Sequence, residues 1–208
     1  MMKKLGNLFI FTGIAVLIFI VYVKGKTYFE QKQLVEEYTS LSFTETAPNE
    51  KTGVAPKEGD TIGILEIPKI ELKTPMTEGA GPEQIKFAVG HLPSSSSTHE
   101  LGKMNTNFAI AGHRSFTYGQ FFNRLDELGK NDKMTLYTQN KVLTYKVIDK
   151  KIVDPSNVEV IYPIKEKSMV TLITCHPERS DKQRLIVSCE LVSEKVLDGH
   201  EIEKMIKD

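Results

Sequence analysis

Thr171-Leu172-Ile173-Thr174-Cys175-His176 is the stretch whose reading governs the rest of the chain. Its aliphatic and β-branched side chains favour an extended, half-buried segment over a helix, and the segment ends at a thiol. A polar, hairpin-like loop follows at residues 178–183, and Arg184 then opens a second β-rich run over residues 185–192. Two such runs joined by a short polar loop predict neighbouring strands.

Working outward, runs of the same kind occupy residues 62–67, broken by Pro68, and residues 108–111, 134–137 and 142–153. In the last of these Leu143, Tyr145 and Val147 alternate with Thr144 and Lys146, the period of a strand with one buried face. Two stretches depart from the pattern. Residues 82–89 suit a turn or two of helix, and over residues 119–128 Phe121, Leu125 and Leu128 fall on one face of a short helix. The spacing predicts a mainly β domain, a largely antiparallel barrel or sandwich with short connecting helices. No fixed-period repeat is visible, and the serines at 94–97 are too few for a low-complexity region.

Upstream, Lys3 and Lys4 precede an uncharged, mainly apolar run from residue 5 to residue 23, closed by Lys24 and Lys26. Its length is near the roughly 20 residues that span a bilayer core. Ile20-Val21-Tyr22-Val23 lacks the small residues of a cleavage site, so residues 1–26 are expected to stay as a membrane anchor. Lysines flank both sides, so charge biases the orientation only weakly toward an inside N-terminus. Tyr28, Leu34, Val35, Tyr38 and Leu41 then predict a short juxtamembrane helix whose apolar stripe packs. Residues 42–59, rich in Thr, Glu, Pro, Asn, Lys and Gly, are expected to be a linker, and residues 60–208 the folded domain.

The 208 residues suffice for one mid-sized domain plus an appendage. Lys and Arg total 27, as do Asp and Glu, so no basic footprint points to nucleic acid. Two cysteines supply neither a disulfide framework nor a zinc-finger spacing, so each thiol is read on its own.

Chemistry-bearing residues gather at three strand ends: His113 in Ala111-Gly112-His113-Arg114, Cys175, and Arg184 in Arg184-Leu185-Ile186-Val187. Singly, a Cys beside an apolar run is usually a small core residue, and a lone His or Arg is usually structural. Together they are what acyl transfer through a thioester requires: a nucleophile, a group that exchanges protons, and a cation for an oxyanion. His176 points to the face opposite Cys175 on an extended chain, which favours a local or loop role. His91 and His99 flank the serine-rich turn with no partner visible. Cys189 shares strand parity with Leu185, Val187 and Leu191 and is expected in the core. A zinc site from Cys175, His176 and His113 would lack a clear fourth ligand.

These strings resemble a known family. TLITC at 171–175, AGHR at 111–114 and RLIV at 184–187 are similar, in order and spacing, to the segments that carry the sortase cysteine, histidine and arginine. The resemblance covers residues 60 to 192 or so and implies an eight-stranded sortase-type β-barrel with an extracytoplasmic active site. It implies His113, Cys175 and Arg184 as the catalytic set and a cysteine transpeptidase (a thiol-protease-like acyl transfer) acting on LPxTG-like sorting signals. The implied partners are secreted proteins carrying a C-terminal sorting signal and the amine of a lipid-linked peptidoglycan precursor, with a single-pass anchor in the cell membrane of a Gram-positive bacterium and no nucleic acid. No cofactor is implied. Calcium stimulation stays open, since some relatives bind calcium and no carboxylate cluster in this chain is distinctive. Cys-His-Pro at 175–177 looks most like class D, with class A second. Asp154-Pro155-Ser156 lacks the aromatic of a pilin-type lid motif and receives no lid role. Two other readings stand beside this one: a noncatalytic, membrane-tethered barrel that binds wall components with Cys175 and Cys189 in a disulfide, and a thiol peptidase that releases to water.

Overall fold

Eight strands close into one barrel: β1 (Thr61–Ile67), β2 (Leu72–Glu78), β3 (Val89–His91), β4 (Thr106–Ala111), β5 (Lys133–Tyr137), β6 (Lys141–Val153), β7 (Ser168–His176) and β8 (Gln183–Val196). This computed structural model describes residues 2–42, 55–114 and 120–207. Around the barrel the order is β1-β2-β3-β4-β7-β8-β6-β5, and β5 pairs back onto β1. Two neighbours run parallel, β2 with β3 and β4 with β7, while the other pairs are antiparallel. The alternative of an open sandwich is thereby excluded, because no strand is left with an unpaired edge.

The interior is filled from alternate positions of the strands, among them Leu65 and Ile67, Phe108 and Ile110, Tyr145 and Val147, Val170 and Leu172, and Leu185 and Val187. Cys189 belongs to this core and is fully buried, as its parity predicted. Burial pushes its thiol up to about 12, so it stays protonated.

The six β-rich runs read in the sequence are strands, each extended by one or a few residues. β2 and β3 were not anticipated. Pro75 and the Thr and Lys around it disguise β2, and the pairing with β3 begins only at Met76, one residue past the proline. Residues 82–89 hold a 3-10 turn, Gln84–Lys86, before the chain enters β3. The stretch expected as a short helix near residues 119–128 is two 3-10 turns, Gln120–Phe122 and Leu125–Glu127, and its Phe121, Leu125 and Leu128 are buried; Gly119 lies outside the described residues.

The N-terminal segment differs from the expectation of a span plus a separate short helix: α1 (Met2–Ser42) is continuous. From Gly6 to Ser40 it is long and apolar enough to cross a membrane. Its far end lies against the barrel. Tyr38 is buried with Ile64, Tyr137 and Val142, Val35 packs beside them, and Gln31 Nε2 donates to Thr74 Oγ1 at 3.1 Å. Tyr28, placed in the same stripe by the sequence, is exposed; the Leu41 side chain is outside the described residues. α2 (Gly199–Lys207) completes this second cluster with Ile202 and Ile206. Asp198 caps it: Glu201 N–H donates to Asp198 Oδ1 at 2.9 Å, and Asp198 N–H donates to Glu201 Oε2 at 3.4 Å, a reciprocal box that satisfies donors the first turn leaves open. Of the linker at 42–59, residues 43–54 lie outside the described residues, and Gly59 N–H already donates to the Glu78 carbonyl.

Candidate active site

β4 and β7 run side by side in parallel register, Ala109 beside Thr171 and Ala111 beside Ile173. Phe108 and Ile110 face the barrel interior, as do Val170 and Leu172. Asn107, Ala109, Ala111 and, by continuation, His113 therefore share the outer face with Thr171, Ile173 and Cys175. On the other flank of β7 the antiparallel register sets Cys175 opposite Arg184, and Leu185 and Val187 point inward, so Arg184 takes the outer face too. Strand alternation thus brings His113, Cys175 and Arg184 to one face, at one end of three adjacent strands.

Both threonines of the Thr-Leu-Ile-Thr-Cys stretch pin β7 to β4. Thr171 Oγ1 donates to Asn107 Oδ1 at 2.8 Å, and Thr174 Oγ1 donates to the Gly112 carbonyl at 2.7 Å, with both threonines buried. Asn107 is used on both ends: its Nδ2 donates to the carbonyls of Val160 and Tyr162, at 3.1 and 3.2 Å, and so holds the β6–β7 connection on the outer face. Gly112 must be glycine, since a Cβ there would stand 2.7 Å from the ring of Phe122. The same Phe122 donates its N–H to the His113 carbonyl at 3.2 Å, so a close-packed aromatic fixes the backbone that presents the imidazole.

His113 is half-buried, and that desolvation holds its imidazolium form below the usual histidine range. Cys175 is partly exposed and free. Arg184 Nη1 donates to the carbonyls of Asp181 and Gln183, at 2.8 and 3.1 Å, which steadies the side chain at the mouth of its own loop. Arg179 lies in that loop, exposed, with a left-handed backbone at φ 61°.

Four residues of this neighbourhood have partners that the sequence did not show. Arg114 is buried and bonds Asp126 and His176. His176 is the last residue of β7 and is partnered by that arginine, a local role of the kind its parity favoured. His91, for which no partner was visible, is the most embedded of the described histidines: Nδ1 lies 2.9 Å from Glu78 Oε2, Nε2 lies 3.0 Å from the Ser96 carbonyl and 3.2 Å from Ser95 Oγ, and the ring stacks on Phe108 at 4.1 Å. The Ser95-His91-Glu78 chain has the outline of a hydrolytic triad, but Ser95 Oγ donates to the Leu92 carbonyl at 2.8 Å and the imidazole is only 2% exposed. It fastens the serine-rich turn to the sheet. Asn107 preceded its predicted strand and carried no signal beyond its parity with His113.

The two thiols cannot pair. Cys175 stands opposite Arg184 while Cys189 stands opposite Val170, five residue steps or about 16 Å along the sheet, against a limit of about 7 Å between Cα atoms. Both are free, which removes the disulfide from the noncatalytic reading. Among the described residues no group of three or more His, Cys, Asp or Glu could hold a metal ion.

The sortase-domain profile matches residues 65–192, the barrel from β1 to β8. This chain belongs to the sortase family. It is 34% identical over 146 residues to Sortase D of Bacillus subtilis, covering 70% of this chain and 69% of the relative. To Sortase SrtE1 of Streptomyces coelicolor it is 28% identical over 204 residues, 93% of this chain and 58% of the relative, so this sortase spans a little over half of that protein's length. Among solved structures, a Clostridium perfringens Sortase D5 transpeptidase superposes with a TM-score of 0.68 at 26% identity, covering 78% of this chain and 98% of that one. A Clostridium perfringens sortase C, solved with a C-terminal cell wall sorting motif, superposes with a TM-score of 0.63 at 26% identity, over 84% of this chain and 97% of that one. Classes D and A both occur among the relatives of this sortase.

Proposed function

We propose that this sortase is a cysteine transpeptidase that cleaves an LPxTG-like sorting signal and joins the released acyl group to an amine of a lipid-linked peptidoglycan precursor. The supporting observation is the convergence of Cys175, His113 and Arg184 on one face at adjoining strand ends. The sorting motif bound in the sortase C structure supplies the substrate class by likeness. α1 would be a single-pass anchor that leaves the barrel extracytoplasmic.

Cys175 as thiolate attacks the signal's threonine carbonyl, and the C–N bond breaks as His113, as imidazolium, gives its proton to the departing amine. The incoming amine attacks the thioester, His113 accepts its proton, and the thiolate leaves. Arg184 donates to the carbonyl oxygen in both tetrahedral intermediates. Burial lowers the His113 value, so the site disfavours the imidazolium relative to an ordinary histidine.

A fluorogenic sorting-signal peptide, with and without an amine acceptor, tests this proposal. The expected products are an amide conjugate with the amine and little free acid, both abolished in Cys175→Ala and largely kept in Cys189→Ala. Release to free acid alone would make the protein a thiol peptidase. Equal loss in both folded variants would remove Cys175 from its role.

A further inference from the structure

The β4–β7 ladder ends at Gly112, whose N–H donates to the Ile173 carbonyl at 3.1 Å and whose carbonyl accepts from Thr174. His113 and Cys175 lie one residue beyond. There a side chain takes over from the main chain. Arg114, the neighbour of His113, has a side chain only 4% exposed, and its Nη1 lies 3.2 Å from Nδ1 of His176, the neighbour of Cys175. Nη2 is 2.8 Å from Asp126 Oδ1 in the turn Leu125–Glu127 and 3.7 Å from Glu178 Oε1 in the β7–β8 connection. By strand alternation His176 faces away from Cys175, and Arg114 meets it there, so the clasp lies behind the sulfur rather than beside it.

We propose that Arg114 is a positioning residue for the reaction, closing the open end of the β4–β7 pair so that His113 and Cys175 keep a fixed separation. The inference rests on the transpeptidase reading for its chemistry, though not for its whole test. An arginine only donates, so His176 Nδ1 serves as the acceptor in this contact. The planar fork meets His176 through Nη1 and the carboxylates of Asp126 and Glu178 through Nη2, which an ammonium on a flexible stem cannot reproduce at once. Asp126 and Glu178 supply the counter-charge that lets a cation remain almost fully enclosed. A misplacement of about 1 Å between reacting groups can cost about 10²-fold in rate.

The test compares the full chain in detergent with Arg114→Gln, Arg114→Lys, His176→Gln and the Arg114→Gln/His176→Gln double variant. Three quantities are read: the thermal midpoint, the rate at which iodoacetamide alkylates Cys175 (located by peptide mass spectrometry), and kcat and KM on the sorting-signal peptide with an amine acceptor. Arg114→Gln is expected to lower kcat by about 10²-fold while KM stays within about two-fold, the pattern of a lost reacting geometry rather than lost binding. Cys175 alkylation slows with it, because thiolate character depends on the cations held near the sulfur. Lysine at 114 recovers part of both effects, and the double variant is no worse than Arg114→Gln alone, since the two side chains act as one contact. Unchanged kcat and alkylation in folded Arg114→Gln, or a loss confined to the thermal midpoint, overturns the proposal. If Arg114→Gln does not fold, His176→Gln decides, because it leaves the Asp126 pair intact: a fall in both rates supports the clasp, and wild-type rates refute it. Should the wild-type protein turn over no peptide at all, the transpeptidase reading fails, and the alkylation rates still decide the role of Arg114.

Discussion

Arg179 and Arg184 carry the same charge within one short connection, and the backbone treats them differently. Arg184 is the strand partner of Cys175 and rests its Nη1 on two carbonyls of its own loop. Arg179 sits exposed in the β7–β8 connection on a left-handed backbone, outside the register that sets Arg184 opposite the sulfur. Arg184→Ala is therefore expected to lower turnover by about 10²–10³-fold, Arg184→Lys to recover part of it, and Arg179→Ala to alter KM chiefly. A larger fall in kcat for Arg179→Ala, measured on folded proteins, would move the oxyanion role into the loop. At this scale the sequence shows which residues end strands, because the side-chain period is two. It hides what lies across the fold: nothing near His91 foretells Glu78, and nothing beside His113 foretells that Arg114 meets Asp126 and His176.

Among the elements, β7 was readable and β2, β3 and α2 were not, for separate reasons. β7 is a run of branched and aliphatic residues, and nine residues of it are extended. β2 contains a proline and β3 has only three residues, so neither offers a period long enough to detect. α2 did leave a sign in Asp198-Gly199-His200-Glu201, a capping pattern followed by Ile202 and Ile206 one turn apart. The polar pins of β7 invite a test at their own scale. Thr171→Val removes the hydroxyl that Asn107 Oδ1 accepts and is expected to cost about 1–3 kcal/mol in chemical denaturation, the range for a buried polar atom left unpaired. Thr171→Ser, which keeps the donor, should lose much less. A larger loss for Thr171→Ser than for Thr171→Val would mean that packing of the methyl group, not the hydroxyl, holds the β6–β7 connection.

For the molecule as a whole, the sequence placed the start of the folded body at residue 60 and gave the juxtamembrane stripe before it a packing role. The structure carries Val35, Tyr38 and Gln31 of α1 onto β1 and β2. A chain starting at residue 60 is still expected to act on peptide, because the strand ends that bear His113, Cys175 and Arg184 lie elsewhere. Relative to a chain starting at residue 28, it gives up the burial of Tyr38, worth about 1.5–3 kcal/mol by side-chain size, and should melt about 4–10 °C lower. Equal melting temperatures in calorimetry would show that α1 lends the barrel no support.

The order of strands around the barrel also dictates when the protein becomes competent. β4 finishes at Ala111, yet its partner β7 does not begin until Ser168, and Arg184 arrives later still. Between them the chain must complete β5 and the long β6, which join the barrel on its far side. Contacts separated by some sixty residues form late, after local pairings have reduced the entropy of bringing them together. A chain still emerging from the ribosome therefore holds His113 before the strand that bears Cys175 is available. The pair proposed to react is thus assembled only when nearly the whole polypeptide is free to close, which under the transpeptidase proposal would keep a nascent copy from reacting with its neighbours.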